Sequence, residues 1–473
     1  MCDVNIRLNK ITVENLKNIE HGEISMPGGA RSDKAKSSVL GIYGQNGSGK
    51  TTVVNAMRML KCLLMGLPLP MQVMSYITNG RESAHLAFEF TVAGSDDGTL
   101  YTLSYSCVIG RCDDQTQSNE EAAAGAIKQR PAVLREVLSF SGVIGGNKRI
   151  SQILADTGSE DSIIIPISKQ SVLFGKDRKK LANLMLLKNV ALYSSQSFLF
   201  SARTLDEVNK NSSDDTYRTI FKTLVEYGNQ CLFVVDNDSA GLINMNLAIP
   251  FSFKIKNNGK TTMGSFPVSL SNAHHLSQKN FELLQKIVKN MDIVLCQMVP
   301  GLNVEIEDLG VEIMKSGEKG RVIQLVSVRN GVRLPLQSES EGIKKIISVL
   351  QLLIVLYNNS SMTVVIDELD AGIFEYLLGE ILKIISESGK GQLIFTSHNL
   401  RPLEILDDKQ ICFTTTNPKN RFAKLNIQNT NNLRSVYYRD ILLGGTDEPL
   451  YDKTNNYEIA LAFANAADGC DEE

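Results

Sequence analysis

A phosphate-binding loop is predicted by residues 41–52, which read GIYGQNGSGKTT. The pattern is Gly44-x-x-x-x-Gly49-Lys50-Thr51, and its glycines allow backbone N–H groups to turn toward phosphate oxygens. A helix that starts directly after Gly49 would add its dipole, while Lys50 would reach the β- and γ-phosphates and Thr51 would ligate Mg²⁺. The alternative is a glycine turn between a strand and a helix, followed by a surface lysine. The residues expected to surround the nucleotide are Gly44, Gln45, Asn46, Gly47, Ser48, Gly49, Lys50, Thr51 and Thr52.

Two adjacent carboxylates follow a short apolar run later in the chain. Residues 363–366, TVVI, read as a buried strand and lead into Asp367 and Glu368. Ligands of open α/β sheets bind at the carboxyl ends of such strands. We expect Asp367 to hold Mg²⁺, directly or through a water, and Glu368 to orient an attacking water. The alternative is a strand end that carries two surface acids.

A histidine ends the next predicted strand. Residues 392–397, QLIFTS, precede His398, one of five histidines in the chain. At the same sheet edge, His398 could donate a hydrogen bond to a γ-phosphate. A structural histidine is the alternative.

A polar stretch, LQSESEG at residues 336–342, precedes a long apolar helix. Ser340 can cap this helix while its N-terminus points outward, and such a terminus can bind a phosphate held by a second molecule. The alternative is a simple capping box formed by Ser338 and Glu341.

These four motifs require a parallel sheet. An apolar strand precedes Gly44 and an amphipathic helix follows Thr52, and strands and helices alternate again after Leu336. Lys50 and Asp367 would then belong to one sheet, although more than 300 residues separate them. Residues between them are expected to be strands first and then largely helical. We therefore predict an α/β fold, a mixed sheet with helices, that carries an inserted helical domain. Its parts are an N-terminal lobe at 1–175, a helical insertion, lid or oligomerisation domain at 176–300, and a C-terminal lobe at 301–473.

Composition excludes several classes of protein. The 49 basic and 52 acidic residues give a net charge of −3, which does not suggest a strongly basic nucleic-acid-binding surface. Eight cysteines without regular spacing favour a reduced, cytoplasmic compartment, and Cys107 and Cys112 lack the second pair of a zinc site. The longest apolar run, residues 346–357, is too short to span a bilayer.

The four motifs, in this order, resemble the ATPase heads of the ABC class, in the group that includes SMC, RecF and OLD proteins. The start of the chain, ITVENLKNIEHGEI, is also similar to these heads. The resemblance implies that two heads sandwich two ATP molecules, with the signature of one head meeting the γ-phosphate bound to the other. The implied assignments are Walker A at Gly44–Thr51, Walker B at Asp367 and Glu368, the D-loop at Asp370, the switch histidine at His398, and the signature at Ser340 and Gly342. The sequence SESEG departs from the common LSGGQ form of the signature.

Two stretches, EGIKKIISVLQLL and DELDAGIFEYLL, resemble compact bacterial defence ATPases of the AriA type, from the PARIS anti-phage system. This resemblance implies a homo-oligomer, up to a hexameric ring, that acts as sensor and scaffold and responds to a phage-encoded trigger. It also implies a separate effector nuclease, an AriB-like Toprim protein. PtuA-type ATPases are a near alternative.

Two rival functions remain from the sequence. Asp236-Asn237-Asp238 after an apolar strand looks like half of the Toprim site of an OLD-type nuclease. A DNA-repair ATPase would bind DNA directly, and the basic run KDRKK at 176–180 is the candidate contact, with a solvated loop as the alternative. Gln115 and Gln196 are both candidates for the Q-loop residue.

Overall fold

The structure is a computed structural model that describes residues 5–28, 37–93, 100–113, 129–143, 149–236, 241–243, 245–257, 260–270, 273–314, 317–425, 432–443 and 448–468. Three residues with predicted roles, Gln115, Asn237 and Asp238, lie outside these ranges, as does most of the polar stretch between Asp113 and Arg130. Within the described ranges, no helix combines the length and apolar content needed to cross a bilayer.

Strands and helices alternate along the chain, and the α/β fold class predicted from the sequence is confirmed. The strands are β1 (Asn5–Leu16), β2 (Ile19–Ser25), β3 (Ser38–Tyr43), β4 (Ala84–Ala93), β5 (Leu100–Asp113), β6 (Gln129–Val143), β7 (Arg149–Asp156), β8 (Leu232–Val235), β9 (Ala248–Asn257), β10 (Lys260–Ser269), β11 (His274–Ser277), β12 (Leu302–Ile313), β13 (Lys319–Arg329), β14 (Val332–Pro335), β15 (Thr363–Ile366), β16 (Gln392–Thr396), β17 (Ile411–Thr414) and β18 (Phe422–Ala423). The helices are α1 (Lys50–Leu64), α2 (Val73–Tyr76), α3 (Ile167–Phe174), α4 (Arg178–Tyr193), α5 (Ala202–Asn211), α6 (Asp215–Glu226), α7 (Gln278–Met298), α8 (Glu341–Asn358), α9 (Glu375–Ser388), α10 (Pro402–Ile405), α11 (Leu433–Leu443) and α12 (Asn456–Asp468).

Two six-stranded sheets dominate the fold. One is antiparallel, in the order β2-β1-β4-β5-β6-β7, and the other has the order β18-β17-β3-β16-β15-β8. In the second sheet β17, β3, β16, β15 and β8 are parallel, and β18 pairs antiparallel with β17. Strands β3, β15 and β16 are buried along their whole length, which explains their continuous apolar sequences. The parallel sheet predicted to hold the motifs is therefore present.

The two faces of the parallel sheet belong to different hydrophobic cores. Side chains alternate along each strand, so Leu40, Ile42, Val365 and Ile394 point into one core together with α1 and the antiparallel sheet. Their neighbours in sequence point into the other core together with α8 and α9: Val39, Val364, Leu393 and Phe395. Helices α1 and α8 thus lie on opposite faces of the sheet.

Side-chain hydrogen bonds join the two sheets at the end remote from the phosphate loop. The Gln392 amide donates to the Leu8 carbonyl at 2.7 Å and accepts from the Leu8 N–H at 2.7 Å. Arg7 donates to the Lys390 carbonyl at 2.8 Å and to the Ser38 hydroxyl at 2.7 Å. The antiparallel sheet is therefore fixed against the strands of the parallel sheet.

The expectation that residues 176–300 are largely helical is wrong for most of residues 232–277. Strands β8, β9, β10 and β11 lie there, and β8 pairs with β15 inside the parallel sheet. Phe251 and Phe253 are both buried, a period of two that belongs to a strand. The apolar run of β8 is only four residues long, too short to be told from part of a buried helix by its pattern alone. The role of residues 176–300 as a lid or oligomerisation domain stays a prediction.

Candidate nucleotide-binding site

The predicted phosphate loop connects β3 to α1 at the carboxyl edge of the parallel sheet. Gly44, Gly47 and Gly49 have φ angles of 152°, 75° and 104°, in the region that favours glycine. A Cβ at Gly44 would also lie 1.7 Å from the Thr414 hydroxyl oxygen, so only glycine fits there. Because α1 begins at Lys50, the N-terminus of the helix faces the loop. This is the strand, loop and helix geometry that phosphate binding requires.

Lys50 is folded into this loop. It is 7% exposed, and its ammonium group donates to the carbonyls of Gly44 at 2.7 Å and Gln45 at 2.9 Å. Burial lowers the pKa of Lys50, while the carboxylates of Asp367, Glu368 and Asp370 act in the opposite direction. The loop therefore holds a positive charge next to an acidic edge.

The carboxylate of Asp367 faces the first residues of α1. Its Oδ1 accepts a hydrogen bond from the Thr396 hydroxyl at 2.6 Å and lies 3.5 Å from the Thr51 hydroxyl. Its Oδ2 is buried and has no hydrogen-bond partner within the described part of the chain. A buried carboxylate oxygen without a donor is costly, but it fits a bound cation. The pair Thr51 and Asp367 thus has the chemistry of a Mg²⁺ site.

Glu368 follows in an unusual backbone conformation. Its φ angle is 47°, in the left-handed region that residues other than glycine seldom adopt. The N–H of Glu368 donates to the Thr396 hydroxyl at 2.8 Å, and the Leu369 N–H donates to the Thr396 carbonyl at 3.0 Å. These two bonds hold the turn that presents the Glu368 side chain at the edge of the sheet.

Asp370 organises the loop that carries His398. Its Oδ2 accepts from the N–H groups of His398 at 3.0 Å and Asn399 at 2.9 Å. The His398 side chain is exposed at the same sheet edge as Lys50. Because Oδ2 of Asp370 accepts hydrogen bonds from within the same chain, Asp370 supports the loop that carries His398. A role of Asp370 toward a second head stays a prediction.

Ser340 is exposed and caps α8, where its hydroxyl accepts from the Ile343 N–H at 3.4 Å. The capping-box alternative at Ser338 is wrong, because Ser338 ends a short 3₁₀ turn and Ser340 is the cap.

Helix α8 ends just before β15 begins and runs antiparallel to it, so its N-terminus reaches the carboxyl edge of the sheet. Gly342 packs against the turn after Asp370, since a Cβ at Gly342 would lie 1.9 Å from the Gly372 carbonyl oxygen. Ser340 and Lys50 thus reach the same edge from opposite faces of the sheet.

A second buried lysine lies behind the acidic motif. Lys345, in α8, is 4% exposed, and its ammonium nitrogen is 3.5 Å from the Asp367 carbonyl oxygen. Burial lowers the pKa of Lys345, while the charges of Asp367, Glu368 and Asp370 oppose that shift. Helix α8, which Ser340 caps, therefore touches the backbone at Asp367.

Several contacts at the phosphate loop were missed by the sequence reasoning. The Asn18 side chain donates to the Gly47 carbonyl, and burial lowers the pKa of its neighbour Lys17 while the charge of Asp367 opposes the shift. Asp452 pairs with Gln45 of the loop twice, through its N–H at 3.0 Å and its carboxylate at 3.2 Å. The polar turn ENLKN, residues 14–18, is the sequence feature that could have indicated a role for Lys17 and Asn18. Nothing in the sequence indicates Asp452.

The Q-loop candidate Gln196 is not in the pocket. The Ser195 carbonyl, next to Gln196, accepts from the Leu69 N–H at 2.8 Å, beyond the C-terminal end of α1. Helix α1 rises about 22 Å along its length, so Gln196 is too far from Lys50 to serve as the Q-loop residue.

The half-Toprim interpretation can be followed only at Asp236, because Asn237 and Asp238 lie outside the described residues. Asp236 forms an ion pair with Arg58, at 2.6 Å. Among the residues with described positions, no group of three or more His, Cys, Asp or Glu side chains could hold a metal ion.

The basic run at 176–180 leads into α4, which begins at Arg178, and all five of its residues are exposed. Asp177 caps α4, and its carboxylate accepts from the N–H groups of Lys179 at 2.9 Å and Lys180 at 3.5 Å. Lys180 also donates to Asn211 at 3.0 Å. Part of the run is therefore explained by the folding of α4 and its contact with α5.

Solved structures with a similar overall fold are SMC head domains. They include the Smc head bound to the C-winged helix domain of ScpA, with 14% identity, coverage of 89% of this chain and 98% of that chain, and a TM-score of 0.38. The Smc head with an extended coiled coil, bound to the C-terminal domain of ScpA and derived from Pyrococcus furiosus, has 12% identity, coverage of 89% and 96%, and a TM-score of 0.37. The SMC head domain from Thermotoga maritima has 12% identity, coverage of 89% and 100%, and a TM-score of 0.35. No protein-family model and no curated protein sequence matches the chain. At these scores the likeness is distant, and function has to be inferred from the residues of the site.

Proposed function

We propose that the chain is an ATPase of the ABC class, and that a second copy completes its nucleotide pocket. The observation that carries this proposal is the position of two helix N-termini. Helix α1 begins at Lys50 and α8 begins at Glu341, both at the carboxyl edge of the parallel sheet but on opposite faces of it. A two-fold partner can bring its own Ser340 over the Lys50 pocket, so that the N-termini of α1 and of the partner's α8 would both face one nucleotide.

The binding roles follow from the local geometry. The loop from Gly44 to Gly49 and the N-terminus of α1 would surround the β- and γ-phosphates, with Lys50 turning from its two carbonyl acceptors toward phosphate oxygens. Thr51 and Asp367 would hold Mg²⁺, and the buried Oδ2 of Asp367 supports this assignment. Bound Mg²⁺ neutralises charge on the β- and γ-phosphate oxygens.

The hydrolytic roles fall to the residues next to these. Glu368 would orient a water molecule and take its proton, because its side chain leaves the turn at the edge of the sheet. Lys50 stabilises the negative charge that develops on the transferred phosphoryl group. His398 would donate to the γ-phosphate from the loop that Asp370 supports. Turnover would be slow until a second copy arrives, because Ser340 and Gly342 act on the partner's nucleotide.

Nucleotide binding and assembly can be measured separately. Equilibrium binding of a fluorescent ATP analogue tests the pocket, and light scattering with and without ATP tests assembly. We expect the parent chain to bind the analogue in the presence of Mg²⁺ and Lys50→Ala to lose that binding. A structure of the ATP-loaded, hydrolysis-deficient protein in which each pocket is complete within one polypeptide would overturn the proposal.

The biological role proposed here is that of a sensor and scaffold in anti-phage defence. It is supported by the resemblance of residues 341–353 and 367–378 to AriA-type ATPases, and these stretches form α8 and the turn leading into α9. A separate effector nuclease of the AriB-like Toprim kind would carry the toxic activity, in a homo-oligomer of head-to-head dimers or a hexameric ring. The neighbouring open reading frame tests this role. A Toprim-type neighbour that co-purifies with the chain supports it, and an HNH-type neighbour favours a PtuA-type system.

Direct action on DNA has less support. Asp236, one carboxylate of the half-Toprim site, is paired with Arg58 at 2.6 Å. A Mg²⁺-dependent nicking assay on the purified chain tests an OLD-type nuclease. Filter binding with a salt titration tests a DNA-repair ATPase, since true phosphate contacts give a steep dependence on salt.

A further inference from the structure

The hydroxyl group of Thr396 connects the two acidic residues of the site. It donates to Asp367 Oδ1 at 2.6 Å and accepts from the Glu368 N–H at 2.8 Å. Thr396 is the last residue of β16, it is 1% exposed, and none of the four sequence motifs includes it as a functional residue. A single buried hydroxyl therefore touches both the predicted metal ligand and the predicted water-orienting residue.

The direction of these bonds decides which oxygen of Asp367 can face a cation. A threonine hydroxyl has one hydrogen, and here it is given to Oδ1. Oδ2 is the oxygen that stays buried with no hydrogen-bond partner among the residues that the structure describes. The branched side chain of Thr396 has few rotamers, and its backbone pairs with β3 beside Ile42, so the hydroxyl cannot easily move. Thr396 thus fixes the rotation of the Asp367 carboxylate.

The same group stabilises the turn at Glu368. Its φ angle of 47° is unfavourable for a glutamate and persists only where neighbouring groups hold it. The hydroxyl and the carbonyl of Thr396 accept from two successive N–H groups of this turn, those of Glu368 and Leu369. The direction in which the Glu368 side chain leaves the backbone therefore depends on Thr396.

We propose that Thr396 is a positioning residue that sets both the metal-binding oxygen of Asp367 and the backbone of Glu368. This inference rests on the proposed ATPase function and extends it to a residue to which the sequence motifs assign no role. It predicts that loss of the hydroxyl impairs the response to Mg²⁺ more than it impairs the binding of nucleotide alone.

The test compares Thr396→Val, which removes the hydroxyl at nearly constant volume, with Thr396→Ser, which keeps it. The affinity for a non-hydrolysable ATP analogue is measured in EDTA and in a series of Mg²⁺ concentrations, together with ATP turnover. For Thr396→Val we expect unchanged affinity in EDTA and a half-saturating Mg²⁺ concentration raised roughly 10- to 100-fold, the usual effect of losing a group that orients a metal ligand. We expect Thr396→Ser to restore the Mg²⁺ response of the parent.

Thr363→Val is the matched control. Thr363 is also buried, and its hydroxyl donates to Gln392 at 3.3 Å and accepts from Tyr227 at 3.0 Å. It lies at the N-terminal end of β15, whereas Asp367 follows the C-terminal end of that strand. An equal loss of Mg²⁺ response in Thr363→Val and Thr396→Val would overturn the inference, as would a parent-like response of Thr396→Val. If Thr396→Val does not fold, Thr396→Ala is compared with Thr396→Ser in the same assays. A parent chain that binds no nucleotide in Mg²⁺ would instead refute the proposed function itself.

Discussion

The Thr51 hydroxyl lies 3.5 Å from the Asp367 carboxylate, although the two residues are 316 positions apart in the chain. Thr51 belongs to the phosphate loop and Asp367 to the acidic motif, and neither motif is complete without the other. Strand β16 separates β3 from β15 in the sheet, so the two ends face each other across one strand. Helix α1, which begins at Lys50, crosses this gap and brings the Thr51 hydroxyl near the Asp367 carboxylate.

Replacing Glu368 with Gln should separate binding from hydrolysis. The amide cannot take a proton from water, and we expect ATP turnover to fall roughly 100-fold or more. Nucleotide affinity should stay close to that of the parent, because Lys50, Thr51 and Asp367 are unchanged. The assembled, ATP-loaded state should then accumulate and elute as a larger species in size-exclusion chromatography. Parent-like turnover of Glu368→Gln would refute the role given to this residue.

A mixture of two inactive variants tests whether the pocket is shared between copies. Lys50→Ala should fail to bind ATP, and Ser340→Arg should bind ATP without assembling, because the exposed helix tip is blocked. In a mixed two-fold dimer, one of the two pockets combines an intact Lys50 with an intact Ser340. We expect ATPase activity to reappear on mixing. A mixture that stays inactive while its components form mixed dimers would contradict the shared pocket.

Gly342→Ala should destabilise the fold apart from any effect on ATP. Its Cβ would approach the Gly372 carbonyl oxygen to 1.9 Å, and such overpacking typically costs about 1–3 kcal/mol. Urea denaturation measures the change in the free energy of unfolding. Gly241→Ala is the control, because a Cβ there meets nothing within 4 Å. Equal midpoints for the two variants would show that α8 is not packed on the turn after Asp370.

Glu136 should make the stability of the chain depend on pH. It is 1% exposed, and burial raises its pKa above the ordinary 4.5, although hydrogen bonds from Ser197, Tyr105, Leu199 and Phe198 act in the opposite direction. The folded chain thus holds this proton more tightly than the unfolded chain does. Its stabilising contribution is complete below the ordinary pKa of Glu and is lost as the pH rises through the raised value.

The Glu136→Gln variant measures that contribution, because its side chain does not titrate. We expect the free energy of unfolding of the parent to decline relative to Glu136→Gln as the pH rises from the ordinary value. Glu136→Leu should be less stable at every pH, since it leaves the N–H groups of Phe198 and Leu199 without an acceptor, at about 1–3 kcal/mol each. Identical pH profiles for the parent and Glu136→Gln would contradict the raised pKa.

Periodic helices could be predicted from the sequence because their apolar faces are local patterns. The amphipathic helix predicted after Thr52 has Val53, Met57, Leu60 and Leu64 at helical spacing, and all four are buried. Helix α9 begins only at Glu375, because Gly372 at φ 73° and Ile373 still belong to the turn. The first residue of a helix depends on single residues of the preceding turn, and the spacing of apolar residues does not predict it.

The site could be predicted only as far as its motifs. Lys50, Thr51, Asp367 and His398 follow strands whose carboxyl ends meet at one edge, and that follows from the strand pattern. The contact of Thr396 with Asp367 depends on the stagger of two neighbouring strands, and the contact of Asp452 with Gln45 depends on the path of the last residues of the chain. Both are properties of the folded chain rather than of any local run of residues.

The position of β3 between β16 and β17 determines when the parallel sheet can form during synthesis of the chain. The strand that leads into the phosphate loop is made early, at residues 38–43, but both of its hydrogen-bonding neighbours are made from residues 392–414. A nascent chain on the ribosome cannot close this sheet until residues 392–414 have been translated. The pocket therefore forms only after these residues are made, and a polypeptide truncated before residue 392 would retain the whole glycine-rich loop but lack the strands that support it.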